Sequence, residues 1–259
     1  MDVERYLRRM QYPGPCQPTA ATLRALHRQH LFTVPFENLD IALGTPIVLD
    51  PELLFDKIVV RRRGGFCYEL NGLFCELLRA VGFSVNMLSA RVRHADGTYG
   101  PEFDHMLLKV DLEEPWLADV GFGESSVDPL PRRSGATTNE NGQRYSVRQS
   151  GGEWQLVKHL ENDESTQYVF LDIPHSMEEY EDMCVYHQTS SDSHFTRSRV
   201  CSLATPDGRV TLSGMRLIET RMGHREESTL RDKAELKHCL RDRFGIEFEN
   251  EIDLTKLTA

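Results

Sequence analysis

Up to Gly82 the apolar residues recur at helical spacing, and beyond it they alternate. In residues 19–31, Leu23, Leu26, His27, His30 and Leu31 fall on one helical face. Asp50-Pro51 reads as an N-cap followed by proline at the first helical position, with Leu54, Phe55, Ile58 and Val59 as the apolar stripe behind it. The clearest helix is predicted over residues 67–81. Leu70, Leu73, Phe74, Leu77, Leu78 and Val81 supply its face, and Gly82 stands where a C-terminal glycine belongs.

After Gly82 the period falls to two. Val85, Met87, Ala90 and Val92 predict a strand with one irregularity. Met106, Leu108, Val110 and Leu112 alternate, Trp116, Ala118 and Val120 do so again, and Glu113-Glu114-Pro115 lies between them, which predicts a hairpin. Residues 124–143, rich in Ser, Pro, Gly, Asn and Thr, read as a long surface loop of the kind that is often functional. Residues 145–149, 153–159 and 167–171 predict short strands. Ser176 and Glu179 form a capping box, residues 195–203 and 209–217 predict strands joined across Pro206-Asp207-Gly208, and Asp232 with Glu235 opens a last helix that carries Leu236, Leu240 and Phe244 and stops at Gly245. Helices, then strands, then a small mixed region is an α+β order and not an alternating βα one.

Composition narrows the picture. The 259 residues are 39% hydrophobic and 27% charged, enough apolar material for a folded core. The formal charge of −10 argues against nucleic acid or an anionic membrane as the main partner. No apolar run has membrane-spanning length, and the first residues lack a secretory apolar stretch, so the chain reads as cytoplasmic. The six cysteines are scattered without a CxxC, which suggests reduced thiols. No metal site is expected: His27 and His30 are three apart on one helix, but no second ligand pair accompanies them.

Cys67 is the most informative residue. It opens the best helix, directly after Arg61-Arg62-Arg63-Gly64-Gly65-Phe66, where the helix N-terminus favours a thiolate. It shares the inward face with Leu70 and Phe74, as a cysteine nucleophile would, and equally as a small core cysteine would. His105 begins one strand of the predicted hairpin. A three-residue loop at 112–114 would set Asp119 opposite Leu107, one diagonal step from His105 on the same face; such neighbours are about 7–8 Å apart at Cα, within reach of an imidazole and a carboxylate. An even-numbered loop would separate them. Taken alone, a histidine at a strand start is more often a surface or packing residue, but an aspartate amid Trp116-Leu117-Ala118 and Val120-Gly121-Phe122 usually needs a partner. The arginine run is either a solvated turn or a source of positive potential at the thiolate. No GxSxG, GxGxxG or P-loop pattern occurs.

At this point the chain resembles the arylamine N-acetyltransferase family. The segments that carry the resemblance are Val34-Pro-Phe-Glu-Asn-Leu39, Arg63-Gly-Gly-Phe-Cys-Tyr-Glu-Leu-Asn71, His105-Met-Leu-Leu and Asp119-Val-Gly-Phe-Gly123, with Tyr186-His-Gln-Thr189 and Phe195 through Leu203 further on. The resemblance implies an N-terminal helical bundle (1–83) carrying the nucleophile, a central β-barrel (84–190) carrying His and Asp, and a C-terminal α/β lid (191–259), around a cysteine-protease-like Cys-His-Asp core. It implies a triad of Cys67, His105 and Asp119, and acetyl-CoA as donor. It implies an arylamine or arylhydrazine acceptor lined by Phe36 and Phe122, an active-site loop at residues 123–127, and coenzyme A contacts near Thr98 and Gly100 and at residues 193–199, including Arg197. A triad of this type is shared by amide synthases that close macrolactams from carrier-bound polyketide thioesters, so that reading stands as the alternative. Cysteine proteases and transglutaminase-like enzymes share the geometry but are disfavoured by the glycine-rich segments around Cys67 and Asp119. A non-catalytic binding module would be expected to lose a triad member.

Overall fold

The computed structural model describes residues 1–124, 126–140, 143–160, 163–248 and 250–258. The N-terminal part is helical: α1 (Val3–Arg9), α2 (Ala20–Thr33), then the two-residue strand β1 (Phe36–Glu37), α3 (Leu39–Leu43), α4 (Pro51–Phe55) and α5 (Cys67–Ala80). The caps follow from the side chains at the boundaries. Thr19 accepts from the Thr22 N–H to start α2, and Asp50 accepts from the Glu52 and Leu53 N–H groups to start α4, which runs on into a π-helical turn, Asp56–Val60. The apolar face of α5 is wholly buried through Leu70, Leu73, Phe74, Leu77 and Leu78; each such side chain is worth about 1.5–3 kcal/mol relative to exposure. Gly82 ends the segment with a left-handed φ of 98°.

An antiparallel sheet of eight strands follows: β2 (Ser84–Val92), β3 (His105–Asp111), β4 (Pro115–Ala118), β5 (Leu130–Pro131), β6 (Ala136–Glu140), β7 (Gln143–Ser150), β8 (Glu153–His159) and β9 (Glu164–His175), in the order β5-β4-β3-β2-β9-β8-β7-β6. It curls until β5 touches β6 and β7, a nearly closed barrel. Its interior holds Leu88, Leu107, Leu117, Tyr145, Val147, Leu156, Tyr168 and Phe170. The other face of β2 and β3 packs on α5 through Val85, Met87, Met106 and Leu108. The β3–β4 hairpin pairs Leu108 with Ala118 and Asp111 with Pro115, so its loop is the three residues 112–114 and its register is the one that brings Asp119 toward His105. The irregularity expected in β2 is a register shift between Leu88 and Ala90 where it meets β9.

The segment 124–143 is not one long loop. It contains β5 and β6, with Leu130 and Ala136 buried. β5 has only two residues and β6 is mostly polar, and they are the two edge strands, paired to β4 and β7, so no alternation announces them. Ser125, Asn141 and Gly142 lie outside the described residues.

A 3-10 turn, Met177–Tyr180, leads into α6 (Glu181–Thr189), with the Glu179 carboxylate accepting from the Ser176 N–H at 2.7 Å. The short helix α7 (His194–Arg197) then precedes β10 (Val200–Thr205), β11 (Gly208–Ser213), β12 (Arg216–Arg221), β13 (His224–Thr229) and α8 (Lys233–Phe244), which ends at Gly245 in the left-handed region. Two expectations change here. Residues 195–197 are helical and not extended, because Ser193 accepts from the Phe195 N–H and the Thr196 hydroxyl donates to the Ser190 carbonyl. Residues 209–217 are two strands, broken at Gly214 with φ of 57°. Strands β10–β13 form a second sheet whose other edge is β1, with Phe36 opposite Ser202 and Glu37 opposite Cys201. Leu212, Leu236, Leu240, Phe244 and Ile246 make its core, shared with Leu39 of α3. The architecture is α+β. Among the described residues no helix is long and apolar enough to cross a membrane.

Candidate active site

Cys67 is the first residue of α5 and is buried. The approach to it is held by a buried ion cluster. Arg63 binds Glu37 at 2.7 Å and Asp40 at 2.8 Å; Lys57 binds Asp40 at 2.8 Å and Glu69 at 2.7 Å. The second oxygen of Glu69 accepts from the Phe66 N–H at 3.0 Å, directly before Cys67. Burial pulls the Lys57 ammonium toward neutrality, but Glu69, Glu37 and Asp40 outweigh it and hold it more firmly protonated than a free lysine. Arg63 is therefore occupied structurally and is neither a solvated turn residue nor a free positive charge; Arg61 and Arg62 are the exposed members of the run, and Arg61 pairs with Asp56 at 2.8 Å. Gly64 has no room for a side chain, since a Cβ there would meet the Pro35 carbonyl oxygen at 2.0 Å.

His105 and Asp119 meet as the hairpin register requires. The Nε2–H of His105 donates to Asp119 Oδ2 at 2.8 Å, with both side chains buried. Tyr168 donates its hydroxyl to the same oxygen at 3.0 Å, while Asn71 Nδ2 and the Gly121 N–H donate to Oδ1 at 2.9 and 3.0 Å. Burial raises the Asp119 carboxyl, but His105, Asn71 and Gly121 prevail and hold it below the ordinary carboxylate value. The Asp119 N–H donates to His27 Nε2 at 3.0 Å, and the Nδ1–H of His27 donates to the Val127 carbonyl at 2.7 Å. His30 Nε2 bonds the Tyr6 hydroxyl at 3.0 Å, so the two α2 histidines are used in packing and positioning.

Cys67 and His105 line one cavity of about 600 Å³. With Nε2 of His105 committed to Asp119, Nδ1 is the nitrogen left for the cavity. The Met106 carbonyl accepts from Asn71 Nδ2 at 2.7 Å, which ties β3 to α5 one residue beyond His105. Gly121 closes it from below: a Cβ there would stand 2.8 Å from Cys67 Cα and 2.9 Å from the Cys67 carbonyl oxygen. Burial pushes the Cys67 thiol well above the ordinary cysteine range, which the Met106 N–H opposes only in part. The helix N-terminus alone thus does not make this thiol acidic; a thiolate here requires a base to take the proton and stay beside it.

That requirement gives a test. Iodoacetamide should label Cys67 before the other cysteines, including the more exposed Cys16, with a rate that reaches its plateau below the pH of about 8.5 at which a free thiol ionises. In His105→Ala the base is gone and burial acts unopposed, so labelling should be at least tenfold slower at pH 7 and still climb above pH 9. Identical profiles for the two proteins would dissociate His105 from the thiol.

Phe36, Phe122 and Arg197 also line the cavity. Phe122 packs edge-on against His105, ring centroids 5.1 Å apart, and against Tyr168 at the same distance. Phe36 packs against Phe195 with ring centroids 6.3 Å apart and lies over Gly123, which holds a left-handed φ of 81°. Arg197 is held by carbonyls of Ser193 and Asp192. Thr98 and Gly100 do not themselves line the cavity but adjoin residues that do: the Thr98 carbonyl accepts from the His94 N–H at 2.8 Å, and the Gly100 N–H donates to the Val92 carbonyl at 2.9 Å. Asn71, Tyr168 and His27 are the positioning residues that sequence reasoning did not assign. Asn71 had a signal, four residues and one helical turn beyond Cys67; Tyr168 and His27 had none. Among the described residues no cluster of three or more His, Cys, Asp or Glu side chains is arranged to hold a metal ion.

Residues 19–252 match a family model described as N-acetyltransferase. The chain is 34% identical to the arylamine N-acetyltransferase of Mycolicibacterium smegmatis, over 95% of its own length and 92% of that protein, and 33% identical to that of Escherichia coli K12, over 94% and 88%. Among solved structures, an M. smegmatis arylamine N-acetyltransferase superposes with a TM-score of 0.92 at 32% identity, covering 100% of this chain and 98% of that one. The Mycobacterium marinum arylamine N-acetyltransferase in complex with CoA superposes with a TM-score of 0.91 at 31% identity, covering 99% and 97%.

Proposed function

The chain belongs to the arylamine N-acetyltransferase family, an acyltransferase family, and from that premise we propose that it moves acetyl from acetyl-CoA to an arylamine or arylhydrazine nitrogen through an acetyl-Cys67 intermediate. The observation that carries this reading is the chain of contacts from Asp119 through His105 to the cavity that Cys67 also lines. His105 Nδ1 takes the Cys67 proton while Asp119 steadies the imidazolium. The thiolate attacks the acetyl thioester carbonyl, with first-turn N–H groups of α5, which have no partners within the helix, as oxyanion donors. Collapse expels the coenzyme A thiol, protonated by His105. The amine then attacks acetyl-Cys67, loses its proton to His105, and Cys67 leaves. Exchange between two thioesters is nearly isoenergetic, so cysteine suits the carrier role, and the two half-reactions give ping-pong kinetics. A relative of this family solved with CoA supports that donor, and Arg197 at the cavity rim is a candidate for its phosphates.

Acetyl-CoA alone should add one acetyl group to the protein, mapped to Cys67 by mass spectrometry of its peptides, and an arylamine should discharge it. No acetyl-enzyme at any donor concentration, with Cys67 reactive to alkylation, would overturn this reading in favour of an amide synthase that loads only from a large acyl thioester. The two phenylalanines should separate. Phe36→Ala should raise the acceptor KM about tenfold more than it slows acetyl-enzyme formation, whereas Phe122→Ala, by freeing the His105 ring, should slow both half-reactions. Equal effects of Phe36→Ala on both steps would remove it from the acceptor site.

A further inference from the structure

One wall of the catalytic cavity carries a second histidine and carboxylate that the triad does not use. His187, on α6, is buried, and its side chain is only 6% exposed. Its Nδ1 bonds Ser193 Oγ at 3.1 Å. Its Nε2 is buried without a hydrogen bond and stands 3.4 Å from Asp104 Oδ1. Asp104 immediately precedes His105, and both Asp104 and His187 line the cavity with Cys67. The other Asp104 oxygen accepts from the Val92 N–H at 3.3 Å, which leaves Oδ1 uncommitted.

Ser193 Oγ can either receive a hydrogen from Nδ1 or donate its own to it, so both tautomers are open to His187. With the hydrogen on Nε2, it stands beside Asp104 without making a hydrogen bond. With the hydrogen on Nδ1, Nε2 and Oδ1 are two acceptors on one wall, and a donor placed between them selects this form and satisfies both. The rings of Tyr68 and Phe195 pack against the His187 ring, with centroids 6.0 and 5.1 Å away.

Resting on the acetyl-transfer reading, we propose that Asp104 and His187 form a specificity seat for a hydrogen-bond-donating, above all cationic, substituent on the acceptor, such as an ammonium. The remaining charged and titratable groups around the cavity outside the triad, Asp192, Arg197, His94, His194 and Tyr186, are exposed, where water screens them more strongly.

The test is competition between 4-aminobenzylamine, a cation at neutral pH, and the near-isosteric neutral 4-aminobenzyl alcohol. A methylene insulates the aromatic amine in both. Because both draw on the same acetyl-enzyme, the product ratio is independent of the fraction of active protein. The wild-type protein should favour the cation by about tenfold, the scale of a partly desolvated charge pair. Asp104→Asn keeps an oxygen for Val92, and His187→Phe keeps the ring; each should bring the ratio to within about twofold of one. A wild-type ratio near one overturns the proposal. So does a preference that survives both substitutions. So does an equal slowing of both acceptors with the ratio unchanged, which would put Asp104 beside the reacting nitrogen instead. Titration calorimetry of the same two amines reads the same preference as affinities, so a protein that transfers no acetyl group refutes the proposed reaction while the seat is still tested.

Discussion

Asp119→Asn should lower kcat by several orders of magnitude while leaving the fold largely intact. In the serine-protease triad the analogous change costs about 10⁴ in turnover. The reason is specific to this site. Asp119 accepts four hydrogen bonds, from His105 and Tyr168 on one oxygen and from Asn71 and Gly121 on the other. An asparagine has one oxygen and one NH2, so either orientation sets a donor against donors. With its oxygen toward Asn71 and the Gly121 N–H, its NH2 confronts His105, and the imidazole must shift its hydrogen to Nδ1. No base then faces Cys67. Acetyl-enzyme formation and thiol alkylation should fall together with kcat. Activity within a few-fold of wild type would make Asp119 a structural residue. The charged carboxylate also contributes to stability: its pKa lies below the ordinary 3.8, so this contribution is present above about pH 4 and is lost as pH falls through the lowered folded-state value.

Lys57→Met should be among the most destabilising single substitutions outside the apolar core. Lys57 is the cation between Asp40 and Glu69, with both carboxylates buried. Removing one partner of a buried pair leaves uncompensated charge, at a cost of about 3–5 kcal/mol. For a chain of this size that corresponds to a fall in Tm of roughly 10 °C. The triple variant Lys57→Met, Asp40→Asn, Glu69→Gln should recover much of the loss, because the charges left behind are gone. A shift under about 1 kcal/mol for the single variant, by urea or thermal unfolding, would mean that the cluster is already hydrated. Because Glu69 also receives the Phe66 N–H, the single variant should loosen the entry to Cys67 as well.

The sequence was informative where local pattern and long-range geometry agree. The stripe of leucines in α5 fixed which way Cys67 faces, and a three-residue loop between two alternating strands sufficed to join His105 to Asp119. It was silent where the partners are far apart in sequence and carry no period. Glu37, Asp40, Lys57, Arg63 and Glu69 read as ordinary charges until the fold gathers them in one buried cluster. Asp104 and His187 come from different elements and meet only at the cavity. Beyond Leu217, β12 and the whole of β13 escaped because a strand with polar residues on both faces has no alternation to detect; β13 is exposed throughout. The strand-like pattern of residues 195–197 misled because Phe195 is drawn in by Phe36, Phe66 and His187 and not by a sheet face.

The pairing of β1 with β10 has a consequence for how the protein is made. Asn38, at the end of β1, donates to the carbonyls of Phe195 and Ser198 and accepts from the Val200 N–H, so this corner of the catalytic wall needs residues from both ends of the chain. On the ribosome the nucleophile, base and carboxylate all emerge before the stretch that covers them. Synthesis from Asp119 to Thr205 takes roughly 5–15 seconds, and pairing across so long a loop is intrinsically slow. For that interval the nascent chain carries an open β1 edge and an unshielded thiol, the period in which it is most vulnerable to oxidation and to wrong strand partners.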